Sequence, residues 1–92
     1  MEDFLIKNKN GNLNVIDIRD KYKYDMSHID GAINIPYNYL IASPNRYLNK
    51  NNTYYIYCYN GHTSRKIGNE LTNLGYNIIS INGGYNYYLL IK

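Results

Sequence analysis

The sequence holds a single cysteine, Cys58, and no tryptophan. One thiol cannot close a disulfide within the chain, so the fold must rest on its apolar core, and a reducing, cytoplasmic setting is expected. Proline occurs only twice and no stretch reads as a linker or repeat, so one domain over residues 1–92 is expected. Charge is sparse at 18% against 45% hydrophobic residues, which excludes a disordered chain. No apolar run approaches the ~20 residues of a membrane span. The opening "MEDFLIKNKNGN" sets acids beside Met1 and lacks a small-residue cleavage site, so it does not read as a signal peptide. No His, Cys or acidic residues stand at metal-ligand spacing, and neither a metal nor another cofactor is expected. The net charge of +3 is scattered, with Arg65–Lys66 the only adjacent basic pair. That balance helps attract small anions but draws no stripe for nucleic acid. The 13 tyrosines lack interleaved basic residues, so they read as a compositional bias rather than a base-stacking platform.

Four short apolar runs are expected to be strands: "LNVIDI" (13–18), "AINI" (32–35), "TYYIYC" (53–58) and "NIISI" (77–81). Their lack of clean alternation fits strands covered on both faces, as in a parallel sheet. Helical character lies between them. "DKYKYDMSHI" (20–29) can hold a short helix, and residues 37–49 form one that Pro44 interrupts. The clearest is 63–75, where Ile67, Leu71 and Leu74 fall at i, i+4 and i+7 and Gly75 supplies the stop. Residues 83–91 suggest a last helix. Alternating strands and helices predict an α/β fold with right-handed parallel crossovers, whose ligands bind at the carboxyl ends of the strands.

Cys58 stands at such an end. From Cys58 to Thr63 the chain reads Cys-Tyr-Asn-Gly-His-Thr, and a helix follows. A short strand-to-helix loop turns backbone N–H groups inward, and the helix start adds unpaired N–H groups and about half a positive charge. Gly61 allows the positive φ such a loop needs. Together these would cradle an anion and favour Cys58 as thiolate. Thr63 and Ser64 add hydroxyls, and Arg65 and Lys66 add positive potential. A lone cysteine can equally be a small buried hydrophobe, and spacing alone leaves both readings open.

The loop and its surroundings resemble the single-domain members of the rhodanese-like (sulfurtransferase) family. "NVIDIRD" (14–20) is similar to the family's strand ending in Asp-x-Arg, and "YDMSHIDGAINIP" (24–36) to its His-Ile-x-Gly-Ala-x-Asn-Ile-Pro motif. "YCYNGHTSRKIGNELTNLGY" (57–76) resembles the active-site loop and the helix after it, and "ISINGGYNYY" (79–88) the closing Gly-Gly-aromatic motif. The resemblance implies a mostly parallel sheet of four or five strands flanked by helices on both faces. It implies thiosulfate sulfurtransferase activity through a Cys58 persulfide, with Tyr59, Asn60, Gly61, His62, Thr63 and Ser64 around the substrate. A small anionic sulfur donor and a thiol or cyanide acceptor would be the partners, a thioredoxin-like protein among the candidates, with neither nucleic acid nor membrane.

The chain departs from the pattern at Thr63, where many members carry Arg or Lys, and at Tyr88, where Trp is frequent. A carrier or regulatory module without turnover therefore stays open. So does a reductase using an outside thiol. A cysteine-loop phosphatase needs Cys-x5-Arg, but the sixth residue after Cys58 is Ser64 and Arg65 comes one place late. Asp17 and Arg19 are expected to organise a strand end as an ion or hydrogen-bond pair. His28 is expected to be fixed by a hydrogen bond, Gly83–Gly84 to make a turn, and Gly68 to permit close packing on the sheet.

Overall fold

A computed structural model describes residues 1–92. Four parallel strands form one sheet in the order β2-β1-β3-β4: β1 Asn14–Asp17, β2 Ile33–Asn34, β3 Thr53–Tyr57 and β4 Asn77–Ser80. The predicted α/β class and parallel pairing hold, with four strands. The helices are α1 Glu2–Lys7, α2 Lys21–Met26, α3 Tyr37–Ala42, α4 Pro44–Tyr47, α5 His62–Asn73 and α6 Gly84–Ile91. None is long and apolar enough to cross a membrane. Pro44 divides α3 from α4 because it supplies no N–H to continue a helix, yet it fits the first position of a new one.

Successive side chains of a strand point to opposite faces, so parity sorts the core into two layers. Ile16, Ile18, Tyr54, Ile56 and Cys58 face one side, where they meet Leu40 of α3 and Ile67 and Leu71 of α5. Val15 and Tyr57 face the other, with Phe4 of α1, Ile81 and Tyr85 of α6. Cys58 and Asp17 therefore lie at the same end of neighbouring strands but on opposite faces, since Asp17 is in register with Tyr57.

Helix α5 buries Ser64, Ile67, Gly68 and Leu71, a stripe at i, i+3, i+4 and i+7. The expectation for Leu74 fails: it is 56% exposed. The helix ends at Asn73, and the chain turns at Gly75 so that Tyr76 takes the core position, with its N–H on the Leu71 carbonyl at 3.1 Å. At Gly68 an added Cβ would meet Ile78, Ile56 and Ser80 side chains at 3.6–3.8 Å, ordinary contact, so the packing there does not require glycine.

Candidate active site

Residue 58 follows the last residue of β3, one of the two central strands. The strand end is pinned on both sides: Ile18 N–H donates to the Tyr57 carbonyl (3.0 Å) and Ile81 N–H to the Ile56 carbonyl (2.9 Å). The chain then folds back over Cys58 and enters α5 through Gly61, whose φ of +98° is disfavoured for residues with a Cβ.

The loop amides converge on the sulfur. Gly61 N–H donates to Cys58 Sγ at 3.1 Å and Ser64 N–H at 3.3 Å. The Ser64 hydroxyl lies 3.5 Å from the sulfur, 3.0 Å from Ser80 Oγ and 3.2 Å from the Gly61 carbonyl. It has one proton for three partners. With the thiol protonated, the S–H donates to Ser64 Oγ and the hydroxyl proton is free for Gly61 or Ser80. With the thiolate, that proton turns to the sulfur. Burial pushes the Cys58 thiol up and is the largest single effect, but the Ser64 hydroxyl and the amides of Ser64, Gly61 and Asn60 together outweigh it, so the thiol sits below its ordinary value.

The remaining amides have distinct fates. His62 N–H donates to Asn60 Oδ1 at 3.0 Å, so it is spent within the loop. Thr63 N–H, in the first turn of α5, has no protein partner. The carbonyls of Cys58 and Tyr59 point the other way and accept from Tyr85 N–H (2.9 Å) and Asn86 N–H (2.8 Å) at the start of α6. Because the peptide is planar and trans, a carbonyl fixed toward α6 turns the N–H of Tyr59 and of Asn60 away from it. The Gly83–Gly84 turn brings that helix start against the loop: a Cβ on Gly84 would lie 2.6 Å from the Cys58 carbonyl oxygen.

A cleft of about 240 Å³ opens at the sulfur. Of the residues expected around a substrate, Tyr59, Asn60 and Thr63 line it with Cys58, while Gly61 and Ser64 touch the sulfur through their amides. The exposed His62 does not line it. Neither does Arg65. The opposite wall comes from a part of the chain that sequence reasoning did not assign to the site: Ile18, Arg19, Asp20 and Lys23. The available signal was topological, because β1 neighbours β3 and the residues after β1 must abut Cys58.

Behind that wall lies the expected ion pair. Arg19 Nε lies 3.0 Å from both Asp17 oxygens, and Nη2 donates to Oδ2 at 2.7 Å and to the Ser27 carbonyl at 2.8 Å. Tyr57 O–H donates to Asp17 Oδ2 at 2.6 Å and accepts from Ile29 N–H. Burial works against the Arg19 charge, but the Asp17 carboxylate outweighs it and the guanidinium is held above its usual range. His28 is fixed as expected, its Nδ1 2.8 Å from the Tyr24 carbonyl and its ring stacked on Tyr24. No three His, Cys, Asp or Glu side chains group as metal ligands would.

The depressed thiol makes a pH prediction. Iodoacetamide alkylation of Cys58 is expected to rise through a midpoint below the ordinary cysteine value of about 8.5. Ser64→Ala removes the largest lowering contribution and is expected to move that midpoint up. An unchanged midpoint would remove Ser64 from the account. The stability carried by the thiolate follows the same sign. It is fully present above the unfolded thiol's pKa and is lost as pH falls through the lower folded value.

A family model described as "Rhodanese-like domain" matches residues 2–90. Over 70 residues the chain is 31% identical to a protein named thiosulfate sulfurtransferase GlpE from Tolumonas auensis, covering 75% of this chain and 65% of that one. Over 64 residues it is 31% identical to a putative sulfur carrier protein YrkF from Bacillus subtilis, covering 70% of this chain and 34% of that one. The match thus spans less than two thirds of the length of either relative. Among solved structures, a rhodanese-related protein from Thermoplasma volcanium superposes with a TM-score of 0.81 at 27% identity, covering 94% of this chain and 84% of that one. A rhodanese-like domain protein from Staphylococcus aureus gives 0.74 at 30% identity, covering 86% and 79%.

Proposed function

Since the chain belongs to the rhodanese-like domain family, we propose that it is a sulfurtransferase that carries sulfane sulfur on Cys58. The observation that carries the reading is the convergence of the Gly61 and Ser64 amides on Cys58 Sγ, with a cleft giving access to the same sulfur. An amide cradle stabilises a thiolate, and the thiolate is the nucleophile.

The reaction runs in two halves. The Cys58 thiolate attacks the outer sulfur of thiosulfate. The Sγ–S bond forms as the donor's S–S bond breaks, and sulfite leaves with the bonding electron pair. The outer sulfur of the resulting persulfide needs its own donor, and the unpartnered Thr63 N–H at the start of α5 is at hand. Cyanide or a thiolate then attacks that outer sulfur. The S–S bond breaks with its electrons returning to Sγ, and the Cys58 thiolate is restored. A single thiol suffices because the acceptor, rather than a second cysteine of the chain, resolves the intermediate.

Thr63 favours a second reading, a persulfide carrier with little turnover, because it supplies no side-chain charge where many members of the family have a cation. One experiment separates the cases. Intact mass after incubation with thiosulfate is expected to rise by one sulfur atom in the wild type and not in Cys58→Ser. No gain in the wild type would refute donor use, and a gain persisting in the serine variant would refute Cys58 as its site. Cyanide-dependent multiple turnover then marks the enzyme, and a single discharge marks the carrier.

A further inference from the structure

A second cavity adjoins the cleft, and no step of the sulfur chemistry uses it. It measures about 690 Å³, within the range of small-molecule sites, and lies between α2, the end of β2, α3 and α4. Ile35 and Pro36 line it beside the rings of Tyr39 and Tyr47. Its free polar atoms are acceptors. Asn34 Nδ2 donates to the Asp17 and Arg19 carbonyls, both at 2.9 Å, which leaves Oδ1 without a protein partner. Asp20 stands at the N-cap of α2, yet its carboxylate makes no capping bond and joins no ion pair. Lys21 is the one cation of the lining, and Asp25 holds it at 2.6 Å. Two carboxylates against one lysine make the lining net negative in a chain of net charge +3.

The aromatic rings are short of the same partner. Elsewhere the chain sets its own lysines near tyrosine rings: Lys50 is 5.3 Å from the Tyr76 centroid, Lys92 5.9 Å from Tyr88 and Lys23 5.2 Å from Tyr59. Tyr39, 63% exposed, and Tyr47 have neither a cation nor a second ring against them. An ammonium answers all of these groups at once. It offers three N–H donors and no acceptor, its charge suits the free carboxylate, and ring faces attract it. We propose that this cavity binds a small organic cation, an ammonium carried on an apolar or aromatic body. Asp20 also lines the cleft, so the two hollows share a wall, but cation binding needs nothing from Cys58.

The test titrates phenethylamine, protonated at neutral pH, into the isotope-labelled full chain at low salt and follows amide NMR shifts. Phenethyl alcohol and hydrocinnamate are the neutral and anionic comparators of similar size. Saturable shifts from the amine are expected at residues 20–25 and 34–39, with the Asn34 side-chain amide among them. The alcohol and the anion should bind about fivefold more weakly or worse, the scale of one unit charge about 4 Å away in water. Asp20→Asn should weaken the amine by about the same factor and leave the alcohol unchanged. Tyr39→Ala should weaken the amine about two- to fivefold, while Tyr39→Phe keeps the ring and the wild-type affinity. Asp20 and Tyr39 are exposed, so these variants leave the core intact. Cys58→Ser should bind the amine as the wild type does, so failure of sulfur loading and failure of cation binding are read separately. No saturable shift, shifts centred on other residues, or equal affinity for amine, alcohol and anion overturns the proposal. So does an amine affinity unchanged in Asp20→Asn or in Tyr39→Ala.

Discussion

Gly84→Ala is expected to destabilise the protein by about 3 kcal/mol or more and to abolish the low thiol pKa in whatever remains folded. Gly84 has φ +60°, and a Cβ there would stand 2.6 and 2.7 Å from the carbonyl oxygens of Cys58 and Tyr59. Those atoms are backbone and cannot swing aside. They are also the acceptors for Tyr85 N–H and Asn86 N–H, so relieving the clash breaks two hydrogen bonds and frees the peptide that carries the Asn60 N–H, one of the amides that lower the Cys58 thiol. About 1–2 kcal/mol comes from a non-glycine residue in the left-handed region, and about 1 from each lost bond. In a domain of this size that lowers Tm by roughly 12 °C or more. Gly31→Ala is the control, because Gly31 has φ +85° with nothing within 4 Å of its would-be Cβ. It carries the backbone strain without the clash. Equal melting temperatures for the two variants would show that the turn does not brace the loop, and a Gly84→Ala protein with a wild-type alkylation midpoint would show that the bracing does not tune the thiol.

That contact marks the limit of what the sequence discloses. The Cys58 loop was legible because it is contiguous: an apolar strand, a cysteine, a glycine and a helix start read in order, and local geometry alone turns Gly61 and Ser64 amides onto the sulfur. The four strands were legible as short apolar runs, but the expected cover on both faces holds only for the central pair β1 and β3; at the edges Ile33 of β2 and Ile79 of β4 stay exposed. Gly83–Gly84 announced a turn, but that the turn leans on the carbonyls of residues 58 and 59 depends on how α6 returns to the sheet. Lys23 and Asp20 were silent for the same reason, since they reach the cysteine only through the parallel pairing of β1 with β3. Leu74 shows a periodic pattern outrunning its helix. The spacing continued, but the helix ends at Asn73, and the turn at Gly75 brings Tyr76 rather than Leu74 into the core.

The pairing of β1 with β3 also sets the second large effect, in Asp17→Ala. Asp17 is fully buried and accepts from Arg19 N–H, the Arg19 guanidinium and Tyr57 O–H. Burial first, and then the carboxylate beside it, push the Tyr57 phenol far above its usual value, so it stays a proton donor to Asp17 at any ordinary pH. Removing the carboxylate strands the Arg19 charge at 8% exposure, with the Ser27 carbonyl and the rings of Tyr85 (4.0 Å) and Tyr57 (5.8 Å) left to answer it. Breaking a buried pair from one side costs about 3–5 kcal/mol, a large share of the 5–15 kcal/mol that holds a typical domain together. Denaturant unfolding of Asp17→Ala should show that loss. The double variant Asp17→Ala/Arg19→Met removes the stranded charge as well and should recover most of it, giving a coupling energy of more than about 1 kcal/mol between the two positions. Additive losses would mean that Asp17 acts through Tyr57 rather than Arg19, and Tyr57→Phe would then reproduce the full effect. In the coupled outcome the pair serves the site as well as the core. Arg19 stays folded back as a neutralised wall of the cleft.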